Sequence, residues 1–218
     1  LYIDDGRDMP AFALNRPIDF QPGTKWLYSG GNSNLIMGSL QRAAGAEGDS
    51  LPWQLLFEPL GIGDPSSRQA VFERDGAGNF IGSSYVHLTP RGMARLGQLY
   101  LQDGVWEGRR ILPKGWVDDA RTLNDAQLQK GHGSAYEDYL RSEGPYSRRG
   151  FWHNVPLLGM EHPFPDAPED MYFAAGHYGQ LLILLPSQRL VIARTGHDAW
   201  YWSKINSLVT KAIACFAD

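Results

Sequence analysis

Apolar residues recur at helical spacing in two segments of the chain. Thr89 and Pro90 can start the first helix, and Gly104 follows its end. Its apolar residues would share one face, and they are Met93, Leu96, Leu99 and Tyr100. The second segment lies at the end of the chain, with apolar residues at Trp202, Ile205, Leu208, Val209, Ala212, Ile213 and Phe216. This stripe predicts a terminal helix packed on a sheet.

Strand patterns lie between these two helices. We expect short strands over 151–155 and 171–175, and a continuous apolar strand from Gln180 to Leu185. The turn 186–189 then leads into a strand from Leu190 to Arg194, which completes a hairpin. The run 180–185 is apolar on both faces of the predicted strand, so both faces need to be covered by other elements. We expect a segment outside this sequence to supply part of that cover.

The rest of the chain gives weaker patterns. We expect a loop over 1–23, a short extended piece over 26–28, a helix over 35–44 and another from Pro52 to before Pro59. A hairpin or surface excursion is expected over 66–82, a helix after Pro113, and a long loop over 124–149. Helices and antiparallel strands in separate runs favour an α+β fold, with a mostly helical region over about 34–150 and strands plus the last helix over about 151–218.

Composition excludes several classes of protein. The 218 residues are 43% hydrophobic and carry a net charge of −4, so the chain can bury a core and offers no basic stripe for nucleic acid. There is no apolar run of membrane-spanning length. The lone Cys215 is expected to be a small packing residue. The six histidines are not paired at metal-ligand spacing, so neither a metal nor an organic cofactor is expected.

Two segments carry residues suited to chemistry. Tyr28, Ser29 and Gly30 stand between the extended piece and the helix over 35–44. The string Gly-His-Tyr-Gly-Gln over 176–180 stands just before the most apolar strand. Glycine on both sides of a His-Tyr pair indicates a backbone that another group approaches closely, although the two glycines could also simply permit a bulge.

Three strings together resemble one family. They are P-G-T-K-W-L-Y-S-G-G-N from Pro22 to Asn32, the long string L-T-P-R-G-M to K-G-W-V over 88–117, and G-H-Y-G-Q followed by P-S-Q-R-L-V-I-A-R and the last helix. Their order and spacing resemble the penicillin-binding proteins and class C β-lactamases, especially members similar to 6-aminohexanoate-dimer hydrolase. The resemblance implies a transpeptidase or β-lactamase-like fold, in which an antiparallel sheet is flanked by helices, and this chain would be the C-terminal part of that single domain.

The resemblance also implies roles for particular residues. Tyr28 would share proton transfer with a lysine, and Gln180 would offer its backbone N–H to the oxyanion. The substrate would meet His177, Tyr178, Gly179, Gly30 and Trp152. The substrate itself would be a small ester or amide, and the family suggests a periplasmic or secreted protein.

The family's Ser-x-x-Lys motif, which supplies nucleophile and base, does not occur in this sequence. Ser39 has Arg42 three residues later, and an arginine stays charged and cannot act as a base. We therefore expect the nucleophile in a segment upstream of Leu1 or on a partner chain. Gly30 stands where the family has Asn, and His177 where it has Lys, which favours an ester or amide over a penicillin.

Several alternatives stay open at this point. The chain could be a non-catalytic binding or regulatory module on the same fold, a β-lactamase or D-Ala-D-Ala peptidase, or a triad hydrolase that uses Ser29 or Ser84 with His177. Tyr28 and His177 could be ordinary structural residues, and Ser84 with Tyr85 could belong to a connecting loop. Trp152 could be a core residue or a substrate wall, since aromatic strand residues are usually buried.

Overall fold

A computed structural model describes residues 7–128, 145–157, 159, 161–199 and 201–216. The chain forms two compact units. The first holds Leu1–Pro22 and Leu27–Gly92, and the second holds Gly23–Trp26 and Met93–Asp218. Most of the segment over 124–149, for which we expected a long loop, falls outside the described residues.

Helices α1 and α2 pack together in the first unit. Helix α1 spans Met9–Leu14, and helix α2 spans Gly30–Ala44. A 3-10 turn over Gly45–Glu47 follows α2 directly. The expectation of a loop over 1–23 was wrong for α1. Six residues give too short a pattern to recognise, and tertiary contacts stabilise the helix instead. A Cβ added to Gly38 of α2 would lie 2.6 Å from the ring of Pro10 in α1, so the packing of the two helices requires a glycine at position 38.

Polar contacts of two aspartates fix the start of α1. Asp8 caps the helix by accepting from the backbone N–H of Ala11 at 3.1 Å. Asp75, in the turn of a distant hairpin, accepts from the backbone N–H of Met9 at 2.8 Å. These contacts satisfy N–H groups that the first turn of a helix leaves without partners.

A short helix and a hairpin complete the first unit. The chain makes a π-helical turn over Trp53–Phe57 and then the hairpin of β1, Ala70–Phe72, and β2, Val86–Leu88. The excursion predicted over 66–82 lies between and along these strands. The aromatic rings that pack together here have centroids 5.1 to 6.2 Å apart, and they belong to Trp53, Phe57, Phe72 and Phe80.

The second unit is built on a four-stranded antiparallel sheet with the order β5-β6-β7-β8. The strands are β5 Trp152–His153, β6 Tyr172–Gly176, β7 Gln180–Leu185 and β8 Leu190–Arg194. The predicted bounds of β7 and β8 are therefore confirmed. The register pairs Gly176 with Gln180 at one end of the β6–β7 hairpin and Tyr172 with Leu184 at the other.

Helices cover both faces of this sheet. Helix α3, Pro90–Leu101, and helix α4, Trp116–Arg121, flank one face, while α5, Ile205–Ala214, follows a 3-10 turn over Trp202–Lys204 and covers the other. Two short strands, β3 Val105–Trp106 and β4 Arg109–Arg110, and a 3-10 turn over Asp125–Leu128 complete the unit.

The apolar strand β7 is buried by these helices of the same chain. Leu181, Ile183 and Leu185 pack with Ile205 and Val209 of α5. On the other face, Leu182 and Leu184 pack with Met93, Leu96 and Tyr100 of α3. Residues 181–185 are each at most 8% exposed, so the expectation that this strand lacks cover without a further segment was wrong.

Candidate active site

The turn between β6 and β7 holds most of the residues that the sequence singled out. Because Gly176 pairs with Gln180, only His177, Tyr178 and Gly179 form the loop. The backbone N–H of Gly179 donates to the carbonyl of Gly176 at 3.2 Å. Tyr178 and Gly179 both have positive φ, at 54° and 87°. A non-glycine residue rarely adopts this conformation, so the turn holds Tyr178 in a strained backbone.

The segment after β8 holds this turn in place. The side-chain amide of Gln180 donates to the carbonyl of Gly196, and the backbone N–H of Gly196 donates to Gln180 Oε1 at 3.3 Å. Arg194 donates to the carbonyl of Gly179, and the backbone N–H of Asp198 donates to the carbonyl of Tyr178 at 3.0 Å. The turn is thus bonded to the neighbouring segment through three of its five residues.

A charged cluster supports the same segment. Asp198 Oδ2 lies 3.3 Å from Arg194 Nη2 and 2.8 Å from Lys204 Nζ. Its side chain is 19% exposed and that of Arg194 is 26% exposed. Partial burial strengthens such contacts relative to fully exposed pairs. The carboxylate therefore orients the guanidinium that donates to the carbonyl of Gly179.

Gly179 is required by its conformation and by its neighbours. A Cβ at this position would collide with Arg194 Nη1 and would lie 2.8 Å from Tyr201 Cβ. Any side chain here would also be strained by the φ of 87°. The close approach that the flanking glycines predicted from sequence is confirmed, and the approaching group is Arg194.

Three aromatic rings lie side by side at the turn. The rings of His177 and Tyr178 have centroids 4.0 Å apart, and Tyr178 stacks on His197 at 4.2 Å. Tyr178 is 37% exposed. The sequence reading missed His197, together with Arg194 and Asp198. The signal that could have found them is the polar string Thr-Gly-His-Asp directly after an apolar strand.

Tyr28 and Gly30 belong to the first unit, and the turn residues 176–180 belong to the second. Tyr28 is 50% exposed and directly precedes Ser29, which has extended backbone and caps α2 by accepting from the N–H of Asn32 at 3.3 Å. Gly30 is the first residue of α2. The predicted change from extended backbone to helix is found at Ser29, although the helix begins five residues before the expected start at 35.

Buried polar contacts anchor the first turns of α2. Asn34 is fully buried, and its Oδ1 accepts from the backbone N–H of Ser83 at 3.2 Å while Nδ2 lies 3.6 Å from Met9 Sδ. Ser84, one of the alternative nucleophiles, follows this contact in the same unit as Ser29. His177, their proposed triad partner, belongs to the second unit.

Trp152 lies in the core of the second unit. Its side chain is 3% exposed, and its ring centroid lies 4.6 Å from that of Tyr146 and 6.3 Å from that of Trp26. This placement agrees with the core alternative that the sequence left open.

The neighbouring His153 is also buried, at 6% exposure, and its Nε2 donates to the carbonyl of Ala120 at 3.2 Å. Burial lowers the pKa of His153 from 6.5 to about 4, although the bond to Ala120 acts in the opposite direction. Its imidazole is therefore neutral at pH 7, stacked on the ring of Tyr172 at 5.7 Å.

Within the described ranges, no group of three or more His, Cys, Asp or Glu side chains could hold a metal ion. None of the described helices combines the length and the apolar character that crossing a bilayer requires.

Comparison with known proteins places the fold. The profile of the Beta-lactamase family matches residues 2–197, and the chain therefore belongs to the Beta-lactamase family. A comparison with curated proteins gives no match. Solved structures of three bacterial proteins are similar in fold to this chain, at 16% to 19% sequence identity.

The first is a Bacillus anthracis protein assigned as a 6-aminohexanoate-dimer hydrolase, with TM-score 0.69, 19% identity, and coverage of 95% of this chain and 48% of that one. A Bacteroides dorei protein assigned as a β-lactamase has a TM-score of 0.62 and 16% sequence identity, and the match covers 94% of this chain and 64% of that one. A β-lactamase from Mycobacterium bovis has a TM-score of 0.60 and 16% sequence identity, and the match covers 97% of this chain and 73% of that one. The chain thus spans about half the length of the Bacillus anthracis protein. The fold is β-lactamase-like, as the sequence predicted.

Proposed function

We propose that the protein is a serine hydrolase that cleaves an ester or amide through an acyl-enzyme. The observation that carries the proposal is the rigid turn over 176–180, in a chain of the Beta-lactamase family. Its backbone is fixed by Arg194 and by the side chain of Gln180. A preorganised N–H group is what stabilisation of a tetrahedral oxyanion requires.

The nucleophile in this proposal is the serine of a Ser-x-x-Lys motif upstream of Leu1. This serine attacks the substrate carbonyl, and its proton passes to the paired lysine and Tyr28. A tyrosine in water titrates near pH 10, so Tyr28 needs the field of the lysine ammonium to act as a base at neutral pH. Tyr28 then returns the proton to the leaving alcohol or amine, and water attacks the acyl-enzyme in the second half of the reaction.

The second-unit turn binds the substrate in this proposal. The backbone N–H of Gln180 donates to the developing oxyanion, together with the N–H of the nucleophilic serine. His177 and Tyr178 face the acyl group, and Gly179 lets the backbone come close to it. Trp152 receives no substrate role, because its ring is buried among Trp26 and Tyr146.

Two substitutions relative to the family favour an ester or amide substrate. Gly30 replaces an asparagine that would hydrogen-bond the amide of a β-lactam, and His177 replaces a lysine that would attract the carboxylate of a penicillin. The similar fold of the protein assigned as a 6-aminohexanoate-dimer hydrolase supports the same substrate class.

The test uses the complete protein that contains the upstream sequence. A fluorophosphonate probe should label one serine, which peptide mass spectrometry should place in a Ser-x-x-Lys motif before Leu1. p-Nitrophenyl acetate should be hydrolysed faster, by kcat/KM, than the β-lactam nitrocefin. Labelling at Ser29 or Ser84 would support the triad alternative instead. A protein without labelling or turnover would be the non-catalytic module, and faster turnover of nitrocefin would overturn the substrate class.

A further inference from the structure

A cavity of about 550 Å³ lies at the opposite end of the β6–β7 hairpin from the turn over 176–180. Its walls come from the second unit alone: the end of α3, the segment 114–121, the start of β6 and the turn at 186–189. Tyr172 lines the cavity and stands four residues before Gly176 on β6. Strand geometry therefore separates the two sites by about 13 Å.

Tyr172 contributes a phenol to the lining of this cavity. The residue is otherwise buried, at 1% exposure. Burial raises the pKa of Tyr172 well above its ordinary value of 10, so the phenol keeps its proton and remains a donor. A phenol donor in the lining of a cavity favours a ligand that accepts a hydrogen bond.

Three basic side chains line the same cavity as Tyr172. Lys114, Arg121 and Arg189 line the cavity, and none of them forms an ion pair with a described residue. Arg121 lines the cavity together with Tyr172, and its positive charge acts on the phenol. Unpaired cations grouped around a donor attract anions.

The nearby acidic groups are largely engaged elsewhere. Asp103 lines the cavity, but its carboxylate lies 3.1 Å from Arg110 Nη2. Asp170 acts electrostatically on Tyr172, and its two oxygens accept from the backbone N–H and the hydroxyl of Ser187 at 2.6 and 2.9 Å. Asp118 is the remaining carboxylate of the lining, against three cations.

We infer that this cavity is a binding site for a small molecule bearing an oxyanion, either a phosphate or a carboxylate group. The Tyr172 hydroxyl donates to one oxygen of the ligand, and Arg121 supplies a two-pronged, charge-assisted contact to the others. Lys114 and Arg189 add positive charge at the mouth. The site does not share residues with the proposed hydrolase machinery, so it stands whether or not the protein is a hydrolase.

The first experiment is an isothermal titration of the complete protein at constant ionic strength, with sodium phosphate in one arm and sodium acetate in the other. Saturable one-to-one binding of phosphate alone identifies a phosphate site, and binding of acetate identifies a carboxylate site. Tyr172→Phe and Arg121→Gln should each weaken binding about tenfold or more, the effect of losing one hydrogen bond to a charged group. The control Arg109→Gln removes an equal charge outside the cavity and should leave the affinity within about twofold.

The second measurement does not depend on the variants. Phenylglyoxal modifies accessible arginines, and mass spectrometry reports each site separately. The bound anion should slow modification of Arg121 and Arg189, but not that of Arg109. Absence of saturable binding in both arms would overturn the inference. Equal weakening by Arg109→Gln, or equal protection of all three arginines, would also overturn it, since either result reflects general electrostatics.

Discussion

The side chain of Gln180 and the backbone of Gly196 bond each other in both directions. The amide nitrogen of Gln180 donates to the carbonyl of Gly196, and its amide oxygen accepts from the N–H of Gly196 at 3.3 Å. This pair extends the hydrogen bonding between β7 and β8 by one step, because Leu181 pairs with Arg194 at the last position of the ladder. The side chain at 180 thus has a structural role, whereas the proposed catalytic group is the backbone N–H.

Gln180→Ala separates these two roles. We expect a loss of about 1–2 kcal/mol in the free energy of unfolding, since two hydrogen bonds disappear, and a fall of less than a hundredfold in the acylation rate, since the N–H remains. Urea denaturation and single-turnover kinetics with an activated ester on the complete protein measure both. Gln188→Ala, at an exposed turn position, is the control and should change neither. A rate loss above about a hundredfold would contradict the assignment of the backbone as the catalytic group.

Gly179→Ala should destabilise the protein by about 2–5 kcal/mol. The left-handed backbone costs about 1–2 kcal/mol for alanine, and the contacts with Tyr201 and Arg194 add an overpacking cost of about 1–3 kcal/mol. Gly108 is a matched control, because its φ is 80° and a Cβ there meets no atom within 4 Å. Gly108→Ala should cost about 1–2 kcal/mol, the conformational part alone. Equal losses in urea denaturation would show that the close approach of Arg194 contributes nothing.

Tyr28→Phe should lower the acylation rate of the complete protein by about a hundredfold or more, the usual contribution of general acid–base catalysis. The folded state should be little changed, since Tyr28 is half exposed. Tyr85→Phe provides the comparison, because Tyr85 is 46% exposed in the same unit. Pre-steady-state release of p-nitrophenol gives both rates. Turnover of Tyr28→Phe within a few-fold of wild type would remove Tyr28 from the proposed mechanism.

His153 should make the stability depend on pH between about 4 and 6.5. Its folded-state pKa of about 4 lies below the ordinary 6.5, so in this range the unfolded chain binds a proton that the folded chain does not. The stabilisation is fully present above pH 6.5 and is lost as the pH falls, by up to about 3 kcal/mol at pH 4.

Replacing this histidine tests the assignment. His153→Gln should flatten the dependence of the unfolding free energy on pH over the same range. Urea denaturation at half-unit pH intervals measures the slopes. An unchanged slope in His153→Gln would show that another group causes the pH dependence.

The sequence by itself determined the elements whose pattern is long and local. The bounds of β7 and β8, the helix after Pro90 and the terminal helix agree with their predicted positions, because residues a few places apart set periodicity and caps. The close approach at Gly179 was also predictable, since a glycine between a turn and an apolar strand marks such a contact.

Only the tertiary structure decided which distant residues meet. Helix α1 depends on Asp75 of a far hairpin, and Trp26 joins the core of the second unit although the next residue belongs to the first. Arg194 and Gly196 hold the turn across a strand pair, and Tyr172 lines a cavity whose cations come from two separate segments, 114–121 and 186–189. None of these contacts has a local signature, because each depends on chain segments brought together by folding and not by sequence spacing.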